Sequence, residues 1–309
     1  MLSKYSIGET MNYKYYICDV FTNRRFGGNQ LAVIPDAKDL TDDQMQQIAR
    51  EFNFSESTFI LPPQKGQTQE VRIFTPSQEI PFAGHPNIGT AFVLATINEL
   101  TKGNNHIKVV FEEKAGFVPV TIREDKDGNL WCELKAPETL FLGKTVSIET
   151  FAAALSLSVD DIIVETHEPQ VASVGLPFLI GELKDQSALE RATINYEVLR
   201  AIKAIGASPD IHIYTHSNDE FDIRARMFAP FDGIHEDPAT GSANCALCSM
   251  LSLYKKEKTG KFKWKIGQGI EMGRPSLLEA RTEKKDDEVI GVWIGGSSVL
   301  VSEGIIFID

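Results

Sequence analysis

The chain has 309 residues, 42% of them apolar and 24% charged, which is ordinary for a globular protein and enough to bury two cores. Its net charge of −12 excludes a general nucleic-acid surface, which needs a basic footprint, while leaving room for a local site that takes a small anion. The long uncharged runs 80–98 and 238–254 contain Pro, Asn and Gly, so they read as buried core helices and not as membrane spans.

Residues 1–10 hold no apolar stretch of signal-peptide length and read as a loose tail before a structural start at Met11. A strand is expected over 15–22, a turn over 23–28 and a second strand over 30–34, closed by Pro35. Thr41 and Gln44 form a capping box, and Met45, Ile48, Ala49 and Phe52 follow at helical spacing. The stretch 53–60 opens as a turn and becomes a short strand. Further strands are expected over 107–111, 116–122 and 130–134, and 136–144 reads as the crossover between two domains. Beyond it come helical pieces over 147–155 and 160–163, strands over 170–174 and 178–180, and a helix over 196–205. Strands over 211–215 and 222–228 follow, then a second apolar helix, and then closing strands over 262–266, 289–294, 299–301 and 305–308. The charged stretch 283–288 reads as a hairpin tip.

One pattern recurs at half the chain length. Arg-x-Phe-x-Pro stands at Arg72–Pro76 and, 154 positions on, at Arg226–Pro230. Gly-x-x-Asn stands at Gly84–Asn87 and again at Gly241–Asn244. Each copy is an extended segment, a proline-containing loop, a glycine and an apolar helix. Two similar domains are expected, each presenting one glycine-led helix start to a shared site. Such starts bind anions through free backbone N–H groups and the helix dipole, so two of them facing one cleft would hold a carboxylate. Pro86 suits a first helical turn, and Ser242 is expected to cap the second helix.

Among candidate chemical groups, Glu56 lies between Ser55 and Ser57 and is flanked by Phe54 and Phe59. Burial there raises a carboxyl pKa and suits it to exchange protons near neutrality, although a solvated turn glutamate fits the same residue pattern. His85 fits either a neutral hydrogen-bonding histidine or a plain helix cap. Asp237 fits either a turn opener before Pro238 or a carboxylate aimed at a substrate amine or hydroxyl, with Glu236 as its neighbour and rival. The four cysteines, Cys18, Cys132, Cys245 and Cys248, are expected to be reduced thiols of a cytoplasmic protein. Cys245 and Cys248 read as core, and no second pair completes a metal site. No P-loop or dinucleotide fingerprint occurs.

The segments Asp19-Val-Phe-Thr, Gly28-Asn29-Gln30, Phe54-Ser-Glu-Ser-Thr-Phe59, Pro81-Phe-Ala-Gly-His-Pro86 and Glu236-Asp-Pro-Ala-Thr-Gly-Ser-Ala243, in that order, are similar to the PhzF-like isomerase family of phenazine biosynthesis. The resemblance runs from about Tyr16 to the end of the chain. It implies a diaminopimelate epimerase-like α+β fold with two pseudo-symmetric domains, each a mostly antiparallel barrel-like sheet around a central helix. The expected domains are 11–136 and 137–309, the last strand returning to the first domain. It further implies a homodimer, no cofactor and no metal. By motif, Glu56 resembles the family's proton shuttle. His85 and Asp237 resemble its catalytic partners, and Gly84, Gly241, Ser242 and Asn29 its substrate-binding positions. Gly84 and Gly241 stand where related racemases keep two catalytic cysteines, so a two-thiol mechanism is not expected. The expected activity is a cofactor-independent isomerase acting on a small carboxylate, with neither nucleic acid nor membrane as partner. An epimerase or lyase on an amino or hydroxy acid, and a non-catalytic binder with the same cleft, are the alternatives.

Overall fold

The computed structural model describes residues 11–98, 106–124 and 128–309; the tail expected at 1–10 lies outside them. The first half runs β1 (Met11–Val20), β2 (Asn29–Ile34), α1 (Asp42–Phe52), β3 (Glu56–Leu61), β4 (Gln69–Phe74), β5 (Glu79–Ile80), α2 (Gly84–Asn98), β6 (His106–Glu113), β7 (Gly116–Glu124) and β8 (Leu130–Lys135). The second runs β9 (Phe141–Thr145), α3 (Ile148–Ala154), β10 (Ile162–Ile163), β11 (Gln170–Ser173), β12 (Pro177–Leu183), α4 (Gln186–Arg191), α5 (Tyr196–Ala204), β13 (Ile211–His216) and β14 (Ile223–Ala229). It ends with β15 (Ile234–Asp237), α6 (Gly241–Tyr254), β16 (Gly260–Gln268), β17 (Ser276–Lys285) and β18 (Glu288–Ile308).

The fold is α+β, with two pseudo-symmetric halves. In the first, β1, β2, β3, β4, β6, β7, β8 and β18 pair in a closed ring. In the second, β9, β11, β12, β13, β14, β16, β17 and β18 pair in matching order. The gap beside β18 is bridged by the connecting chain: the Ala136 N–H donates to the Val292 carbonyl at 3.0 Å and the Glu138 N–H to the Val174 carbonyl at 3.3 Å. Parallel pairs sit at equivalent places, β2–β3 with β12–β13 and β4–β6 with β14–β16. Each needs a crossover, and α2 and α6 supply the second of these in their respective halves.

The sequence accounts for the helices. Thr41 Oγ1 accepts from the Gln44 N–H at 3.3 Å, and Gln44 Oε1 accepts from the Thr41 N–H at 3.0 Å, so α1 starts on the expected capping box. Its Met45, Ile48 and Ala49 face the core. Helices α2 and α6 are apolar nearly all round because each is enclosed by its sheet; Ile88, Val93, Leu94, Leu247 and Met250 are all buried. Each such side chain contributes about 1.5–3 kcal/mol by leaving water.

The Arg-x-Phe-x-Pro copies do the same job twice. Arg72 grips Glu79 with two hydrogen bonds of 2.9 and 2.7 Å, and Arg226 grips Glu236 with two of 2.8 and 2.9 Å. Each guanidinium also reaches back toward the preceding crossover helix, to Asp42 at 2.6 Å or to the Leu189 carbonyl at 2.7 Å. These forked pairs fix the loops that deliver the chain to α2 and α6.

Several expectations are corrected. The separate strands expected over 289–308 are one strand, β18, which runs from β17 past β8 to β1. The stretch 276–285 is a strand that the sequence reading left out. The crossover 136–144 contains most of β9, and 160–163 is half a turn of 3₁₀ helix and half strand.

Candidate functional site

The starts of α2 and α6 meet. A Cβ built on Gly84 would lie 3.4 Å from Gly241 Cα and 3.5 Å from Ser242 N, so the two glycines pass backbone to backbone. Both open onto one cavity of about 260 Å³, lined by Glu56, His85, Asp237, Ser242 and the two glycines, with Ile80, Phe82, Phe178 and Met227 among its apolar walls. No side chain caps α6: its N-cap is Thr240, not Ser242 as expected, and Thr240 Oγ1 donates to Asp237 Oδ2 at 2.5 Å instead. Ser242 sits inside the first turn and faces the cavity. The first backbone N–H groups of a helix have no intrahelical partner, which makes this junction suited to a carboxylate.

Glu56 is placed by the first register position of β3, opposite Leu31 of β2. It is 9% exposed and His85 is 4% exposed, so neither is the solvated alternative. Glu56 Oε2 and His85 Nε2 are 3.5 Å apart, without hydrogen-bond geometry, and neither has a hydrogen-bond partner among the described residues. Burial, and then the nearby Asp237 charge, hold the Glu56 carboxyl well above the usual carboxylate range. Burial pushes His85 down to about 3 against a small upward effect of the Gln30 backbone, so the ring is neutral.

Asp237, at the end of β15, is 4% exposed. Its Oδ1 accepts from Asn29 Nδ2 at 2.8 Å and Ser55 Oγ at 3.2 Å, and its Oδ2 from Thr240. Burial raises it to about 6; these three donors hold it below where burial alone would put it. Of the two carboxyl groups, Asp237 has three donors to stabilise its charge and Glu56 has none on its enclosed oxygen, so Glu56 is the stronger base when ionised.

Asn29, expected at the substrate, does not itself line the cavity and bonds to Asp237, which does. It is 1% exposed and lies behind the cavity wall. Its two amide hydrogens serve Asp237 and the Ala239 carbonyl at 3.0 Å, which leaves its 3.3 Å approach to His85 Nδ1 without a hydrogen. A proton on Nδ1 then leaves Nε2 as an acceptor facing Glu56. Glu236 is no rival to Asp237, since Arg226 holds both of its oxygens.

Three participants were missed. Ser55 is visible beside Glu56, but nothing in sequence points it at Asp237. Gln268, on β16, donates to the Asp237 carbonyl at 2.8 Å and to Thr240 Oγ1 at 3.0 Å, with no sequence signal at all. Asp210 also lines the cavity, and the half-length offset of 154 that relates the two phenylalanines leads from Glu56 to it.

Residues 18–304 match the family described as Phenazine biosynthesis-like protein. An uncharacterized isomerase of Mesorhizobium japonicum is 36% identical over 309 residues, covering 97% of this chain and 100% of that protein. The trans-2,3-dihydro-3-hydroxyanthranilate isomerase of Pseudomonas aeruginosa is 32% identical over 293 residues, 94% of this chain and 98% of that protein. The crystal structure of a Bacillus anthracis phenazine biosynthesis protein of the PhzF family matches with a TM-score of 0.87 at 25% identity, over 96% of this chain and 100% of that one.

Proposed function

The chain belongs to the phenazine biosynthesis-like protein family, and from that premise we propose that it is a cofactor-independent isomerase that moves a proton within a small carboxylate-bearing substrate, with Glu56 as the shuttle. One observation carries the reading: Glu56 Oε2 and His85 Nε2 are buried, unpartnered and 3.5 Å apart on the wall of the cavity where two helix starts meet. The substrate carboxylate lies on the N–H groups at Gly84 and Gly241, where charge developing in the adjacent conjugated system is stabilised. Ionised Glu56 removes the acidic C–H proton. Its raised pKa makes it a strong base and keeps the proton in place until it is returned to another carbon. Neutral His85 accepts from the acid form and Asp237 holds the local negative charge. The division into 11–136 and 137–309 and the homodimer belong to the same proposal.

The test is deuterium wash-in from D₂O, with trans-2,3-dihydro-3-hydroxyanthranilate and a panel of small cyclic amino and hydroxy acids. The parent protein is expected to exchange and isomerise at least one of them. Glu56→Gln keeps shape and hydrogen bonding, and should lower turnover by roughly 100- to 10,000-fold with binding changed only a few-fold. Equal exchange in Glu56→Gln and parent would remove Glu56 from the role.

A further inference from the structure

The second half carries a carboxylate where the first carries Glu56. In the β3–β4 register Ser57 lies opposite Phe74, and in the β13–β14 register Ile211 lies opposite Phe228. Phe74 and Phe228 are the equivalent phenylalanines of the Arg-x-Phe-x-Pro copies, so Ser57 corresponds to Ile211, and the residues before them, Glu56 and Asp210, correspond to each other. The two helix starts correspond in the same way, His85 with Ser242. Because Gly84 and Gly241 touch back to back, Glu56 and Asp210 reach one cavity from the two halves, and both line it.

Asp210 also shares the condition of Glu56. Its Oδ1 is enclosed and has no hydrogen-bond partner among the described residues, as is true of Glu56 Oε2. Burial, and then the Asp232 charge, push the Asp210 carboxyl up to about 7, with Lys203 opposing. Asp232 lines the same cavity, so a second carboxylate shares this part of the wall with Asp210. Asp237, by contrast, is matched to three donors.

We propose that Asp210 is a second proton-transfer residue of the cleft, acting on the substrate from the second half while Glu56 acts from the first. The step rests on the isomerase reading, with Glu56 still the base that takes the C–H proton, and replaces return of that proton by Glu56 with delivery of one from Asp210. Glu56 carboxylate takes the C–H proton, and the C–H electron pair moves into the conjugated system. The Asp210 acid gives its proton to a different atom of that system. One C–H and the Asp210 O–H break; a Glu56 O–H and a new bond to hydrogen form. The double bond has moved, with no net oxidation. Proton exchange with water then restores Glu56 to the carboxylate and Asp210 to the acid.

Asp210→Asn, Asp210→Glu and the parent are compared in D₂O with the same probe compounds. Asp210→Asn is expected to go on washing deuterium into recovered substrate within a few-fold of the parent, since Glu56 is intact. Its product formation should fall about 100-fold or more, and the limb of the kcat/KM profile near pH 7 should be lost. Asp210→Glu keeps an acid at the site and should recover part of the loss, which separates chemistry from a folding defect. Product formation by Asp210→Asn within a few-fold of the parent, or equal loss of exchange and product with no recovery in Asp210→Glu, overturns the proposal. A parent that exchanges none of the probes overturns the isomerase reading, and this one with it; exchange by the parent with unchanged Asp210→Asn overturns this one alone.

Discussion

The starts of α2 and α6 are built from the same motif and finished differently. In both, the asparagine of Gly-x-x-Asn turns its amide back onto the carbonyl before the glycine, Asn87 to Ala83 at 2.9 Å and Asn244 to Thr240 at 3.0 Å. In the second half the rest of the asparagine is served as well. Its Nδ2 also reaches Gln268 Oε1 at 2.8 Å, and its Oδ1 lies 3.1 Å from His212 Nε2. In the first half Asn87 Oδ1 has no partner among the described residues, and neither do His85 Nε2 or Glu56 Oε2 in front of it. At the second start every polar atom of the asparagine is matched, although His212 Nδ1 beyond it has no partner among the described residues. The other leaves buried polar atoms without matches, which costs stability and marks where a substrate would be met. The motif gives the same backbone shape twice, and the two copies finish it with different hydrogen bonding around the asparagine.

The comparison is broken most severely at the second residue of each helix. His85→Ala should lower kcat about 100-fold and raise KM, because it removes both the acceptor facing Glu56 and a wall of the cavity. Ser242→Ala removes one contact and should cost less than about 10-fold, in line with a single neutral hydrogen bond. Steady-state kinetics on both variants would decide this, and equal losses would mean the two starts are functionally alike.

Stability should show the opposite asymmetry. Asn244→Ala leaves His212 and part of Gln268 without partners in a buried site, so about 2–3 kcal/mol should be lost; Asn87→Ala removes one matched bond and should cost about 1 kcal/mol. Denaturant midpoints measure the difference, and an Asn87 loss as large as that of Asn244 would show that the first network is also complete.

The sequence disclosed these halves unevenly. The capping box of α1 and the half-length repeat are local chemistry at fixed spacing, so they could be read directly. Strand β17 could not: its inward residues are Ser276, Leu278, Ala280, Thr282 and Lys284, while Leu277 points outward at 38% exposure. Lys284 is 1% exposed because its ammonium donates to the Leu253 and Lys255 carbonyls at 2.9 and 2.8 Å, a match that no pattern reveals. β18 looked broken because glycines interrupt its apolar run. They are there for neighbouring rings: a Cβ on Gly295 would lie 2.5 Å from Trp131, and one on Gly296 would lie 2.6 Å from Phe21. Glu56, His85 and Asp237 were readable by motif. Their partners Ser55, Asn29 and Gln268 were not readable in those roles, because hydrogen bonds between strands far apart in the chain leave no spacing.

The last difference lies behind the first helix start, at Glu113. Both of its carboxyl oxygens are buried without a partner of good hydrogen-bond geometry, and Asn87 lies close enough to lower its pKa. Burial raises it to about 8. Burial favours the acid form, and the effect of Asn87 opposes it without overcoming it. The folded state therefore holds this proton to higher pH than the unfolded chain does. Below the unfolded pKa near 4.5 both states are protonated and Glu113 has no effect on the balance. As pH rises from there to about 8 the unfolded state releases its proton first, so stability falls, and above that the loss is constant. Glu113→Gln removes the ionisation. It should match the parent near pH 4.5 and be the more stable of the two at pH 9, a difference that grows across the interval. Chemical denaturation at several pH values reads this directly. Parallel profiles for parent and variant would mean that Glu113 ionises as freely in the folded chain as in the unfolded one, and that the first half is no more strained than the second at this point.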